Sequence, residues 1–496
     1  MNVESATISP SRAERPLVMA IDIGSSSIRI ALHDRNARTL RGTTIQLLYG
    51  WDVHADGSVR LHHEALIDLF GQAFDGFVSK IGALADEVVA GGISCFFHSI
   101  AGLNGASQPI TPVLSWADTT SAGEAANLRE RIDAAHTHAC TGAPIHASYW
   151  PARILKLRAE YPKVSCWAGF PELLAASLTG RAVVSRSMAS GTGLFDRSQG
   201  AWSKELFDYL ALESTDLPLL VDDHEAIGRL KGKAAARWPS LAHITWFAPW
   251  GDGACNNVGL STSGPGMAAL MVGTSGAMRV LVADPAPAIP SGLFAYRLGP
   301  GAVVGGQLSE AGGLLAWVSR QLGRSSASLE RGAGAIQADA HGLTVLPFVF
   351  GERGLGYHDN ARGTIVGLAP DTDAASIYRA IVESIAFSFA AVDDELSSVL
   401  GGSPTITASG GALTRSPLLT QVIADTIGRD LTVTRSLEAS LRGAALLALQ
   451  SHGELADVRL VAAPPGHKVC SDAKRLTLYR AARERRDALY AALLCK

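Results

Sequence analysis

Leu17-Val-Met-Ala-Ile-Asp-Ile-Gly-Ser-Ser-Ser27 carries an apolar run into an acidic residue, a glycine and three hydroxyls. Met267-Ala-Ala-Leu-Met-Val-Gly-Thr-Ser-Gly276 repeats the pattern in the second half of the chain. Each reads as a buried strand that ends in a glycine turn. Glycine permits close backbone approach, so such a turn presents N–H groups and hydroxyls to an anion. One such turn is also an ordinary hairpin. Two, one in each half, predict a duplicated domain that grips a polyphosphate from both sides.

A chain of 496 residues exceeds what one hydrophobic core serves, so at least two domains are expected. Apolar residues make up 47% and aromatic residues 6%, which suits a globular Ala/Gly-rich protein. The formal charge of −3 provides no basic field, and no basic run interleaves with aromatics, so nucleic acid is not an expected partner. The six cysteines are scattered without a Cys-x-x-Cys pair and read as reduced thiols of a cytoplasmic protein. Residues 1–16 are polar and mixed in charge, so they are read as a disordered tail rather than a signal peptide. No apolar run of the length that spans a bilayer is evident, so no membrane is expected.

Strand-like and helix-like stretches alternate, which indicates an α/β architecture. Strands are predicted at Val18–Ile23, Ile28–His33, Val88–Cys95, Pro112–Trp116 and Thr405–Ala408. Helices are predicted over Glu64–Ile81 and Ile377–Leu400 from apolar three- and four-residue steps. Turn formers in Pro249-Trp-Gly-Asp-Gly253 place a boundary here, giving domains of 17–248 and 249–496. Arg379 and Glu383, one turn apart, read as a solvated ion pair. Asp472–Lys496 reads as an Arg-rich amphipathic helix docked on the second domain, with Arg475, Arg480, Arg483, Arg485 and Arg486 on its solvated face.

There is no Walker A sequence, no strict G-x-G-x-x-G after a strand and no G-x-S-x-G elbow. Nucleotide handling therefore falls to the doubled turns. Asp22, at a strand end beside the first turn, is placed to hold magnesium, or else to cap its own turn. Asp252, between Gly251 and Gly253 at the boundary, is a candidate general base, or a helix-capping residue. Ser409-Gly-Gly-Ala-Leu-Thr-Arg415 is a glycine turn opening a helix, suited to a flat base or its ribose. His136, His138, Cys140 and His146 lack a second clustered pair and are read as loop residues rather than zinc ligands.

These residues, in this order, resemble the FGGY-type carbohydrate kinases, over Val18 to Leu449. The resemblance implies a duplicated actin/hexokinase-like, ribonuclease H-like fold in which a sugar and ATP meet in an interdomain cleft. It implies ATP and Mg2+ as cofactors, with a homodimer possible in the family. Asp22 matches the magnesium-side aspartate, and Gly24, Ser25 and Ser26 the first phosphate turn. Gly273 and Thr274 match the second turn, and Gly312 a nucleotide-contacting glycine. Gly411, Ala412 and Arg415 fall where the family binds adenosine, and Asp252 matches the base. His98, Trp116 and Asp118 match the sugar pocket, and Gly351-Glu-Arg353 a closing loop.

Within the family, Phe97-His-Ser99, Trp116-Ala-Asp118, Thr141-Gly-Ala-Pro-Ile-His146 and Gly273-Thr-Ser-Gly-Ala-Met-Arg279 are most similar to gluconate kinases. A sugar acid needs a cation for its carboxylate, for which Arg279 and Arg353 are candidates. Xylulose- or ribulose-type ketoses are the alternative acceptors, and a non-catalytic sensor is the alternative of another class. Three positions depart from the family pattern. Thr120 stands where arginine is usual, Trp250 is expected to narrow the pocket or give it a stacking face, and Gly354-Leu355 replaces Ala-Pro.

Overall fold

The computed structural model describes residues 7–349, 351–358, 361–434 and 438–495. The first half is built on nine strands: β1 (Thr7–Ile8), β2 (Leu17–Ile23), β3 (Ser27–His33), β4 (Thr39–Leu40), β5 (Ile45–Leu48), β6 (Val88–Cys95), β7 (Ala226–Gly228), β8 (Thr245–Phe247) and β9 (Trp250–Gly251). They run β1-β4-β3-β2-β6-β8-β7, with β5 on β3 and β9 on β6. The second half uses β10 (Met267–Val272), β11 (Gly276–Val282), β12 (Phe294–Leu298), β13 (Gly301–Leu308), β14 (Thr405–Ser409), β15 (Leu431–Thr434) and β16 (Gly466–Val469). Their order is β12-β13-β11-β10-β14-β15-β16.

The two sheets repeat one pattern. An antiparallel hairpin, β2–β3 or β10–β11, continues through a parallel strand, β6 or β14. A further parallel strand follows, β8 or β15, and then an antiparallel edge, β7 or β16. The anticipated duplication is therefore a repeat of topology. It puts both glycine turns, at the β2–β3 and β10–β11 ends, in equivalent places.

All seven residues of β2 are buried, as expected of a strand covered on both faces. Leu17, Met19 and Ile21 pack with Leu66, Phe70, Phe74 and Phe77 of α1 (His63–Ile81). Val18 and Ala20, on the other face, pack beneath Leu441 to Leu449. Those residues belong to a helix supplied by the second half. The helices that matter to the site are α2 (Asp252–Gly259), α3 (Gly312–Gln321), α4 (Ala374–Leu400), α5 (Ala439–His452) and α6 (Ala473–Leu494).

Helix α5 lies on β2 and β6 because Gly92 offers no side chain there: a Cβ on Gly92 would sit 2.5 Å from the Ala444 carbonyl oxygen. It crosses α2 equally closely. A Cβ on Gly259 would meet the Ala439 carbonyl oxygen at 1.8 Å, and one on Gly443 the Cys255 carbonyl oxygen at 1.8 Å. The first sheet runs on to Gly251, just past the anticipated boundary, and α2 with α5 bridges the halves.

Three expectations are corrected. The segment 7–16 is not a disordered tail: Thr7–Ile8 pairs in parallel with Thr39–Leu40, and Arg15 forms an ion pair with Glu87. A two-residue edge strand leaves no periodicity to read, and residues 1–6 lie outside the described residues. Arg379 and Glu383 are not solvated but 5% and 1% exposed. Their partners are the Tyr479 hydroxyl and His341, and they tie α4 to α6. Helix α4 is long and apolar enough to cross a membrane by length and composition, yet it is a largely buried core helix of the second half.

The docking of α6 is concrete. Arg475 pairs with Asp425, Arg483 with Asp394 and Arg485 with Asp339, while Arg486 is buried and donates to Ser388. Four of the five arginines read as a solvated face thus hold the helix down, while Arg480 is exposed.

Candidate active site

A cleft of about 390 Å3 opens between the halves, lined by both glycine turns, the start of α2, residues 409–411 and an aromatic wall. In the first turn the Gly24 N–H donates to the Ser27 carbonyl at 3.0 Å, and Gly24, Ser25 and Ser26 face the cleft. In the second, the Gly273 N–H donates to the Ser275 carbonyl at 2.9 Å, and Gly273 and Thr274 face it from the other side. The N–H groups of Gly312 and Gly313, opening α3, donate to the carbonyls of Gly273 and Thr274 at 3.0 and 2.9 Å. Gly312 itself does not line the cleft; a Cβ there would meet the Gly273 oxygen at 2.6 Å and the Ala412 Cβ at 2.7 Å. Its place is behind the turn, whose Gly273 carbonyl it holds.

Among the described residues, three carboxylates line the cleft. Asp22, next to last in β2, accepts from the Ser94 hydroxyl at 2.8 Å and faces Arg29 at 3.5 Å. Burial pushes its carboxyl above the ordinary range, against the pull of Ser94 and Arg29. Glu438, just before α5, is likewise raised by burial, with Arg29 opposing and Asp22 adding to the rise. Two oxygen-donor carboxylates raised in one cleft suit a hard divalent cation, whose charge would relieve both.

Asp252 is the first residue of α2, and its backbone carbonyl accepts from the Ser440 hydroxyl of α5 at 3.3 Å. Burial raises its pKa from 3.8 to about 6, while Arg279 lowers it and Asp22 raises it further. The flanking glycines make room for neighbours. A Cβ on Gly251 would overlap the Phe97 ring at 1.8 Å, and one on Gly253 would lie 2.9 Å from Arg279 Nε.

Opposite stands a wall built from both halves. His98 holds a left-handed φ of 70° and is buried. Its Nδ1 lies 2.6 Å from the Gly191 carbonyl oxygen, which can only accept. Nδ1 therefore carries the proton, and Nε2 is left as an acceptor. Burial first, and nearby Arg353, hold the ring well below its ordinary pKa, so it stays neutral. Trp116, Arg279 and Arg353 line the same space, where Arg279 Nη1 and Arg353 Nε are buried with no hydrogen-bond partner among the described residues. The Tyr149 and Tyr296 hydroxyls meet at 2.7 Å across the two halves.

Two residues assigned to this pocket lie elsewhere. Asp118 does not line the cleft; its carboxylate accepts from the N–H groups of Val59 and Thr120 and from the Thr120 hydroxyl at 2.6 Å. Thr120, where the family has arginine, thus satisfies Asp118 locally. Trp250 is 0% exposed and packs beneath α5 with Phe247, so it neither narrows the pocket nor offers a stacking face. Of the three residues expected to meet adenosine, Gly411 and Arg415 line the cleft, while Ala412 is buried behind them. Gly410 has φ 115° and no room for a Cβ, which would meet the Val272 oxygen at 2.3 Å.

Sequence reasoning missed Glu438, Arg29 and Arg153. Arg153 is fully buried and donates to the carbonyls of Ala147, His98, Ser115 and Asp118, gathering three segments behind the cleft wall. A lone arginine in a helix gives no sign of this. His138 and His146 bind the Leu293 carbonyl and the Ser148 hydroxyl instead of gathering round a metal. Among the described residues, metal-like spacing occurs at Asp339, His341 and Glu383, but Arg485 and Arg379 already neutralise those carboxylates.

Comparison with known proteins agrees with this geometry. A gluconokinase of Bacillus subtilis is 24% identical over 457 residues, covering 88% of each chain. A xylulose kinase of Escherichia coli is 24% identical over 493 residues, covering 96% of this chain and 99% of the other. The crystal structure of a gluconate kinase from Lactobacillus acidophilus superposes with a TM-score of 0.89 at 23% identity, covering 96% of this chain and 98% of that one. A ligand-bound xylulose kinase from the same organism gives the same TM-score, identity and coverage. Residues 17–259 match the N-terminal domain, and 268–452 the C-terminal domain, of the FGGY family of carbohydrate kinases. The chain belongs to that family of ATP-dependent phosphotransferases.

Proposed function

We propose that this kinase transfers the γ-phosphate of ATP to a terminal hydroxyl of a sugar acid, with D-gluconate to 6-phosphogluconate the best fit. The observation that carries the acceptor class is the pair of buried guanidinium groups, Arg279 and Arg353, whose N–H donors facing this space find no partner among the described residues. Such donors suit a carboxylate, and a buried donor left unpaired costs free energy that an anionic substrate recovers. Arg353 bears less strongly than Arg279 on Asp252, so Arg353 is assigned the distal carboxylate and Arg279 the reacting end.

Asp252 accepts the hydroxyl proton as the acceptor oxygen bonds to the γ-phosphorus and the bond to the ADP oxygen breaks. A pKa of about 6 leaves it ionised at neutral pH and close enough in basicity to take the proton. His98 Nε2 accepts a hydrogen bond from a second hydroxyl of the acceptor, and the Trp116 ring gives it a flat wall. The turns at Gly24-Ser25-Ser26 and Gly273-Thr274 hold the phosphates, while Gly411 and Arg415 hold the adenosine. Asp22 and Glu438 would hold Mg2+, which neutralises phosphate charge when bound.

Ketose acceptors are the second reading, favoured by the xylulose kinase that superposes on this chain as well as the gluconate kinase does. ADP release measured across aldonates, ketoses and polyols tests both. Turnover of gluconate with no ketose activity supports the first reading, whereas turnover of ketoses alone replaces it.

A further inference from the structure

The two phosphate turns are held from behind in different ways. In the second turn the carbonyls of Gly273 and Thr274 accept from the backbone N–H groups of Gly312 and Gly313. In the first turn the equivalent carbonyls, of Gly24 and Ser25, accept from two side chains. The Tyr49 hydroxyl donates to the Gly24 oxygen at 2.5 Å, and the Trp51 indole Nε1 to the Ser25 oxygen at 2.9 Å. The Tyr49 backbone N–H takes the third carbonyl, of Ser26, at 3.0 Å.

A trans peptide points its C=O and the following N–H in opposite directions. Pulling back the Gly24 and Ser25 carbonyls therefore turns the N–H groups of Ser25 and Ser26 forward, toward the cleft these residues line. Successive N–H groups aimed at one point form an anion nest. We propose that Tyr49 and Trp51 are positioning residues that preorganise this nest, the side-chain counterpart of the Gly312–Gly313 clamp. The proposal rests on the reading of Gly24-Ser25-Ser26 as a phosphate turn.

The supporting contacts are specific. Trp51 stands edge-on to Phe96, with centroids 5.6 Å apart, and Phe96 itself lines the cleft. Tyr49 and Trp51 lie tilted against each other at 6.3 Å. Burial, with Cys95 and Asp22 nearby, pushes the Tyr49 phenol far up, so it remains a donor at any working pH. Neither ring touches the cleft, so neither is a catalytic residue.

Tyr49→Phe keeps the ring and removes only the hydroxyl donor, while Trp51→Phe removes the indole N–H together with part of the ring and keeps an aromatic group beside Phe96. Binding of MgATP, and separately of adenosine, is measured calorimetrically on the full chain, together with the melting midpoint. The expected result is MgATP binding weakened about five- to tenfold in each variant, the effect of one net hydrogen bond, with adenosine binding unchanged. MgATP binding at the wild-type level in both single variants and in the double variant would overturn the proposal. Parallel loss of MgATP and adenosine binding with a lowered melting midpoint overturns it too, since that is general loosening. If the wild-type chain binds MgATP no more tightly than adenosine, the phosphate-turn reading itself falls.

Discussion

Arg353, from the second half, lies over the indole of Trp116, from the first, with its guanidinium carbon 4.2 Å from the ring centroid. The pair spans the acceptor end of the cleft, so the flat wall and the cation assigned to the acceptor are one unit. Arginine stacks through its planar face, which lysine cannot reproduce. Arg353→Lys should raise the KM of the acceptor about 2- to 30-fold, from a stacking contribution of about 0.5–2 kcal/mol. The dissociation constant for MgATP should not move, and if both shift together the pair serves closure of the halves rather than the acceptor.

Asp252→Asn should lower kcat by about 10²- to 10⁴-fold while MgATP still binds. In the parent, activity should fall tenfold per pH unit below about pH 6, because only the ionised carboxylate accepts the proton. The effect on stability has the opposite sense. The folded pKa lies above the free value of 3.8, so between about pH 4 and pH 6 the folded chain keeps a proton that the unfolded chain has released. The contribution of this group is therefore greatest in acid and is lost as the pH rises through 6. Asp252→Asn should melt above the parent at pH 8, with the gap closing toward pH 4. A gap that stays constant with pH would refute the raised pKa.

Gly443→Ala touches no ligand, yet its methyl would be forced against the Cys255 carbonyl of α2. Overpacking of this kind costs about 1–3 kcal/mol. Since α2 begins with Asp252, kcat should fall roughly tenfold or more through misplacement of the base, with MgATP affinity nearly kept. Unchanged kcat in a destabilised variant would separate the crossing from the chemistry.

Glu383→Gln leaves Arg379 buried without its anion. Loss of one partner of a buried pair costs about 3–5 kcal/mol, so the denaturant midpoint of the second half should drop clearly. Steady-state constants measured below the transition should match the parent, because the network lies outside the cleft.

What could be read beforehand was whatever the chain states locally. The hairpins around Gly24 and Gly273, the strand Val88–Cys95 and the helix ending at Ile81 follow from runs and periods only a few residues long. Asp252 stood out because glycines flank it, although those glycines in fact seat Phe97 and Arg279. Trp250 was misplaced because the strand stops at Gly251 and α2 begins at Asp252, so the two-residue spacing that would give a shared face within one strand does not carry across the junction. Arg379 and Glu383 have the spacing of a surface pair, and their burial depends on His341 and on Tyr479, which lies 100 residues from Arg379. Glu438, Arg153, Tyr49 and Trp51 act on segments remote in sequence, so no local pattern announced them.

The contact of α2 with α5 at Gly259 and Gly443 brings two helix backbones closer than a side chain at either glycine would allow. Around it Cys255 and Val258 of α2 pack with Leu441, Ala444 and Ala445 of α5, in a cluster that also holds Val18 and Ala20 of the first sheet. An interior packed this closely transmits strain instead of absorbing it. Asp252 opens one helix and Glu438 precedes the other, so the two carboxylates are anchored to one block. The spacing of their main-chain positions is set by backbone meeting backbone, which leaves no intervening rotamer to adjust it.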